Sequence, residues 1–455
     1  MKRLLLIKVI TLMVFILNLN AQYHWCGFED ATYDTDTTRG IRKSGYGWIL
    51  PAQGELRVLV AFLEMVYDNP NLDPSLNGTN EWPVGQLPDW ADELFDHVAP
   101  TGVAQGVVTR YFQDASSGNK ILLGDYLVAP DNGGVFQVQT LNGVANTANL
   151  SNAINAKLGN NIITANGFNS IMDFDEWTPT GEGLPKDQTG NNRWDNVIFI
   201  VRNSLHPSNS NGNAYYPLHN FLLGYQGDSW SIQCTHGKIP TLIVRHEYAH
   251  FILGGNNFHA GGGGWGTPND YWIPQIGGWS MLGGNSCSFL SWNAWDRQRM
   301  GWSATGNQFN PSARNSNNTV EVNGDLDASN PNHAGIFTLR DFVTTGDAIR
   351  IKLPFIDSDN EFQQWIWIEN RQGIVSNNNP FDQWQYQSSH PHCVVGSIAG
   401  LGIYIQIDKD IRESNSASLV YGGYAGYIRP LPANGLWDRY FPTQTVFNDC
   451  VSWGE

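Results

Sequence analysis

Ile239-Pro240-Thr241-Leu242-Ile243-Val244-Arg245-His246-Glu247-Tyr248-Ala249-His250-Phe251-Ile252-Leu253-Gly254-Gly255 concentrates more chemistry than any other stretch of the chain. Pro240 suits a first helical turn, Leu242, Ile243, Ile252 and Leu253 supply apolar contacts, and the paired glycines stop the helix. The run therefore reads as a buried helix. Residues four apart share a helix face, so the imidazoles of His246 and His250 can reach one metal ion, with Glu247 beside them. Two neutral nitrogens suit zinc, which makes a bound water more acidic and polarises a carbonyl while a carboxylate removes the water's proton. A chance match on a surface helix would carry neither the apolar lead-in nor the glycine stop.

The rest of the composition says where such a helix would work. The chain has 455 residues, 41% of them hydrophobic and 15% charged, enough for two or three globular domains. Lys2, Arg3 and Lys8 precede or interrupt the apolar run Val9 to Leu17, and Leu19-Asn20-Ala21 offers a small residue for cleavage before Gln22. Residues 1–21 are thus expected to be a signal peptide, because the apolar part is far shorter than the roughly 20 residues that span a bilayer. Its removal takes three basic and no acidic side chains, so 23 Lys and Arg face 42 Asp and Glu, a formal charge of −19. That surface repels phosphate backbones, which argues against nucleic acid and anionic membranes as partners and suits an exported, soluble protein, secreted or periplasmic. An acidic balance also fits calcium, but Asp173, Asp175 and Glu176 match no full calcium-loop pattern and read as a solvated turn. Cys26, Cys234, Cys287, Cys393 and Cys450 allow two disulfides and one odd thiol in an oxidising compartment, with no close pair spaced for a zinc ribbon.

Along the chain, Glu55 to Leu63 is a nearly continuous apolar run and predicts a core strand. A helix is predicted at Pro88 to Val98, with Trp90, Leu94, Phe95 and Val98 on one face, and another at Val107 to Ala115. After the turn Ser116-Ser117-Gly118-Asn119 come a strand at Ile121 to Val128, a helix at Ala148 to Leu158 and a strand at Asn196 to Val201. This alternation predicts a mixed sheet on which the central helix packs. From Asn307 the composition turns to Asn, Ser, Thr and Asp with short apolar strands at Ala348 to Leu353, Phe362 to Ile368 and Gly400 to Ile407. The expected class is α+β, with a first domain over residues 22–305, a linker near Trp302 to Asn318, and a β-rich second domain over residues 306–455.

Several flanking segments carry a resemblance. Ile276-Gly277-Gly278-Trp279-Ser280-Met281-Leu282-Gly283-Gly284, then Trp292-Asn293-Ala294-Trp295-Asp296 and Met300-Gly301-Trp302, resemble the segment after the zinc helix in immune inhibitor A-like secreted metallopeptidases. Tyr111-Phe112-Gln113-Asp114-Ala115-Ser116-Ser117-Gly118 ahead of the helix agrees in order. So do Trp367-Ile368-Glu369-Asn370-Arg371-Gln372 and Gly400-Leu401-Gly402-Ile403-Tyr404 behind it. The likeness covers roughly residues 55 to 407. It implies a zincin-like catalytic domain holding one catalytic zinc, His246 and His250 as ligands, Glu247 as base, Met281 in a turn beneath the metal, and a protein or peptide as substrate. From the residues alone, Met281 serves equally as core filling.

A catalytic zinc keeps three protein ligands and an open position. The related zincins place a glycine three and the third ligand six residues after the second histidine, where this chain has Leu253 and Asn256. His259, three residues later, is assigned as the third ligand, since Gly254 and Gly255 let the chain turn back and a wider loop through Asn256, Asn257 and Phe258 absorbs the three extra residues. Asp270 is its main competitor, ahead of His236 and His219. Two other functions stay open: an exported β-rich protein binding glycans through its 18 Trp and 17 Tyr, and a zinc hydrolase acting on a non-peptide carbonyl. For Trp365, Trp367 and Trp384 a place in the core is the expectation. Oligomeric state leaves no mark in the sequence.

Overall fold

Gly54–Tyr67 (β1) is buried along nearly its whole length, which fits a central strand covered on both faces. The structure is a computed structural model describing residues 50, 52–73, 82–129, 133–140, 196–202, 212–215, 230–235, 244, 245, 248, 249, 252, 292–302, 311–356, 363–372, 383–384, 396–397, 400–407 and 428–430. Among them the fold is mixed α+β with sheets dominating. Lys120–Leu127 (β2) and Phe136–Thr140 (β3) pair in parallel with successive halves of β1. Asn196–Val201 (β4) pairs in parallel with Leu59 to Leu63, the span shared by both halves, so β2 and β3 lie one after the other along the opposite side of β1. Gly212–Tyr215 (β5) lies antiparallel to Trp230–Thr235 (β6), which is parallel to β4. The order is β2-β1-β4-β6-β5 with one antiparallel edge, the mixed sheet that the alternation predicts.

Helix α1 is Val107–Ala115, with the bounds the sequence predicts. It begins at Gly106, where an added Cβ would lie 2.3 Å from the backbone of Phe95, so only glycine permits the approach. It ends at Ser116, and the adjoining Ser117 and Gly118 both take positive φ, while the Gly118 N–H donates to Gln113 O at 2.7 Å.

The helix expected over Pro88 to Val98 does not form. One 3-10 turn, Ala91–Glu93, stands in its place. Tertiary partners take the backbone groups that helical bonds would use. Leu94 O accepts from Val108 N–H at 2.8 Å, Asp96 O accepts from Gly124 N–H at 3.1 Å, and Asp96 N–H donates to Thr109 Oγ1 at 2.9 Å. Trp90, Leu94 and Phe95 are buried as expected, whereas Val98 is 74% exposed.

Ala294–Met300 forms α2. Beyond it, Ser312–Asn315 (β7), inside the segment read as a linker, pairs with Glu321–Asn323 (β8). Next in the chain are Asp325–Asp327 (β9), Phe337–Thr338 (β10), a short helix Phe342–Thr345 (α3), Ala348–Ile356 (β11) and Gln363–Arg371 (β12). Gln383–Trp384 (β13) and Gly396–Ser397 (β14) make a small ladder. With Gly400–Ile407 (β15) and Ile428–Pro430 (β16), a second sheet runs β16-β15-β12-β11-β9. Strands appear wherever the sequence predicts them here.

Alternation on this second sheet divides it into two faces. Ala348, Trp367, Glu369, Arg371 and Tyr404 point one way and are buried; Ile349, Ile351 and Ile368 point the other way and pack with Ala313, Leu326, Val322, Phe337 and Leu339. Trp367 and Tyr404, paired across β12 and β15, belong to the same core as Val58, Val60 and Phe62 of β1, Ile198 and Ile200 of β4, and Tyr111 and Phe112 of α1. One core thus draws on both sheets. The helix expected over Ala148 to Leu158 and residues 1–21 lie outside the described residues, and among the described residues no helix is long and apolar enough to cross a membrane.

Candidate functional site

Val244, Arg245, Tyr248, Ala249 and Ile252 are helical and buried, and four of them have no exposed surface. At about 100° per residue, positions 244, 245, 248, 249 and 252 fall on one arc of about 140°. Val244, Tyr248, Ala249 and Ile252 join the core that holds β1, β4 and α1. The described positions of the central stretch are therefore helical, and they lie on one buried arc.

His246, Glu247, His250 and His259 lie outside the described residues, as do Met281, Asp270, His236, His219, Asp173, Asp175 and Glu176. Among the described residues no three His, Cys, Asp or Glu side chains gather as a metal site. Of the cysteines only Cys234 is described, as a backbone position in β6 opposite Gly212 and Ile200.

The structure describes instead the frame on which the central helix rests. Among the described residues, α1 contacts it at two points. The guanidinium carbon of Arg245 lies 4.5 Å from the ring centroid of Tyr111, and Arg245 Nη2 donates to Val107 O at 3.4 Å. One turn along, the Tyr248 ring meets Phe112 edge to face at 5.0 Å between centroids. Lys120, fully buried at the start of β2, sets its ammonium 5.8 Å from the Tyr248 ring. Burial draws the Arg245 guanidinium down to about 10, still charged at neutral pH, and pushes the Tyr111 hydroxyl well above its usual range.

Phe112 also touches Trp292, at 6.2 Å, and Trp292 packs on Trp302 at 4.3 Å. Between these tryptophans α2 is closed at both ends. Asn293 and Asp296 form a reciprocal capping box, and Gly301, with φ 69°, ends the helix in the left-handed region. The Trp302 indole donates to Ala52 O at 2.6 Å, and Gln53 Nε2 donates to the carbonyls of Met300 and Gly301. The entry to β1 is thereby tied to the end of α2.

A buried polar lock joins α2 to the second sheet. Glu369 Oε2 accepts from Ala294 N–H at 2.8 Å, while its Oε1 accepts from Arg371 Nε at 2.7 Å and Tyr404 Oη at 2.8 Å. Arg371 and Glu369 have no exposed surface, and the Arg371 guanidinium lies 5.4 Å from the Phe342 ring. Four of the segments that carry the family resemblance therefore converge on one place. Residues 111–118 form α1 and its end, 292–302 form capped α2, and 367–372 and 400–404 supply the lock. The fifth, residues 276–284, lies outside the described residues.

Sequence reasoning passed over Arg245 and Glu369. Arg245 had a signal, being in phase with Val244, Ala249 and Ile252 on an otherwise apolar arc. Glu369 and Arg371, two apart on a strand, had to share a face, but their partner Ala294 lies 75 residues away. Compared with known proteins, the chain matches no protein-family model and no curated protein.

Proposed function

We propose that this chain is a secreted zinc-dependent endopeptidase. The observation that carries the proposal is the phase of the central helix. Val244, Arg245, Tyr248, Ala249 and Ile252 occupy the core-facing arc, so an unbroken helix has its opposite arc left for positions 246, 247 and 250. Tyr111 and Phe112, in one of the flanking segments, contact Arg245 and Tyr248, and Trp292, Trp302, Trp367 and Tyr404 of the others belong to the same core, which supports the family resemblance.

Imidazoles one helical turn apart fit an ion that prefers nitrogen donors. His246 and His250 would hold the zinc, with His259 as the third ligand. When bound, zinc supplies Lewis acidity that makes a water more acidic and a carbonyl more electrophilic. Glu247 takes the proton of the attacking water onto its carboxylate and passes it to the departing amine nitrogen. The glycan-binding alternative needs accessible aromatic faces; of the three tryptophans expected in the core, Trp367 has no exposed surface and donates from Nε1 to Gln406 Oε1, Trp365 is half-buried, and the Trp384 side chain lies outside the described residues.

The test is metal content and digestion of labelled casein by the purified mature chain. Close to one zinc per chain is expected, with cleavage lost on chelation and restored by zinc. A chain that takes up no zinc, leaves casein intact and binds an insoluble glycan would overturn the proposal.

A further inference from the structure

Arg245 is a guanidinium in the core, 9% exposed, and among the described residues no carboxylate pairs with it. Desolvating a cation without an anionic partner is unfavourable, and a leucine or methionine at the same point of the helix would fill the space without that cost. Among the described residues, the contacts that hold it come from α1: the face of Tyr111 and the carbonyl of Val107, one turn apart on that helix. Tyr248 makes the second contact with α1, through Phe112, three residues along the central helix. Two contacts on neighbouring lines of a cylinder resist rotation about its axis, whereas one alone serves as a pivot.

Rotation matters because of scale. A side-chain tip about 5 to 6 Å from a helix axis moves about 1 Å for a turn of about 10°. Metal sites tolerate about 0.2 Å in ligand distance, and a misplacement of about 1 Å in a reacting group costs on the order of 100-fold in rate. A planar guanidinium stacked on a ring and bonded to a carbonyl fixes orientation in a way that a rotating aliphatic chain does not.

We infer that Arg245 and Tyr111 are positioning residues that set the rotational phase of the central helix, and with it the direction in which His246, Glu247 and His250 are presented. This rests on the peptidase proposal. Neither residue touches substrate or metal; both act through the helix.

The test uses the full mature chain with zinc and labelled casein as probes. Arg245→Met keeps length and removes the charge, Tyr111→Leu removes the ring, and Tyr111→Phe keeps it. The expected result for Arg245→Met and Tyr111→Leu is a loss of about 10- to 100-fold in zinc affinity and kcat, with KM within about twofold. Tyr111→Phe should stay close to wild type, and the double variant should lose little more than either single one, because the two residues form one contact. A merely structural role would lower thermal stability while leaving zinc affinity and kcat unmoved, and that result in folded Arg245→Met overturns the inference. If Tyr111→Leu does not fold, Arg245→Met and Tyr111→Phe still decide it. An inert, zinc-free wild type refutes the peptidase proposal and the positioning role together. An active wild type with unaffected variants refutes the positioning role alone.

Discussion

Glu369 Oε2 accepts the N–H of Ala294 at 2.8 Å, a bond from the middle of the second sheet to the first turn of α2. The same carboxylate holds Arg371 and Tyr404, so its removal leaves a buried guanidinium, a buried hydroxyl and a helix N–H to find other partners. Glu369→Ala should destabilise the mature chain by about 3 to 5 kcal/mol, the usual cost of breaking a buried ion pair from one side. Urea unfolding monitored by tryptophan fluorescence measures this, and an unchanged midpoint would show that the lock contributes nothing.

Because Trp367, Tyr404, Phe342 and Ala348 complete a core begun by β1, β4 and α1, residues 306–455 should not fold alone. Expressed separately, that segment would expose the face of Trp367 and Tyr404 together with the Glu369–Arg371 pair. A poorly dispersed proton NMR spectrum is expected; a well-dispersed one would show that the second sheet closes its own core.

Those two predictions turn on what a sequence can and cannot convey. β1, β4 and β12 were legible because continuous or alternating apolar runs report burial directly, and α1 because its apolar spacing ends at Ser116-Ser117-Gly118. The segment from Pro88 to Val98 has equally good helical spacing, yet it gives its carbonyls to Val108 and Gly124, partners that no local pattern reveals. Pairing order was hidden for the same reason: nothing near Gly54 indicates that β2 and β3 share one side of β1. At the site, the type and spacing of His246, Glu247 and His250 were legible, and the structure adds that Val244, Arg245, Tyr248, Ala249 and Ile252 are helical and buried. The packing around Tyr248 was not legible, since the contacts from Phe112 to Trp292, and from Trp292 O to Arg371, join positions far apart in the chain.

Acid should weaken the junction at α3. Burial pushes the Asp347 carboxyl up, but the bonds it accepts from the Arg340 guanidinium and N–H outweigh this and hold it below its ordinary value. A carboxyl with a lowered folded pKa stabilises the fold above its unfolded value, near 3.9, and that contribution is lost as pH falls through the folded value. Asp347→Asn should therefore be less stable than wild type at neutral pH, with the gap closing below about pH 4. Urea midpoints across that range test this; a gap that widens on acidification has the wrong sign.

For the third ligand, His259→Ala should lower zinc affinity by orders of magnitude while the fold is kept, and Asp270→Asn should leave it unchanged. Chelator competition distinguishes them. Full zinc occupancy in the His259 variant would move the assignment to Asp270, or to His236 or His219.

The central claim is that Glu247 is the proton carrier of a zinc peptidase, and Glu247→Gln tests it most directly, because the amide keeps the shape of the side chain but takes no proton. Zinc content and casein cleavage are measured on the same preparation. Zinc near one per chain with cleavage reduced by at least about 1,000-fold is the predicted result; cleavage at the wild-type rate with zinc bound would contradict the account.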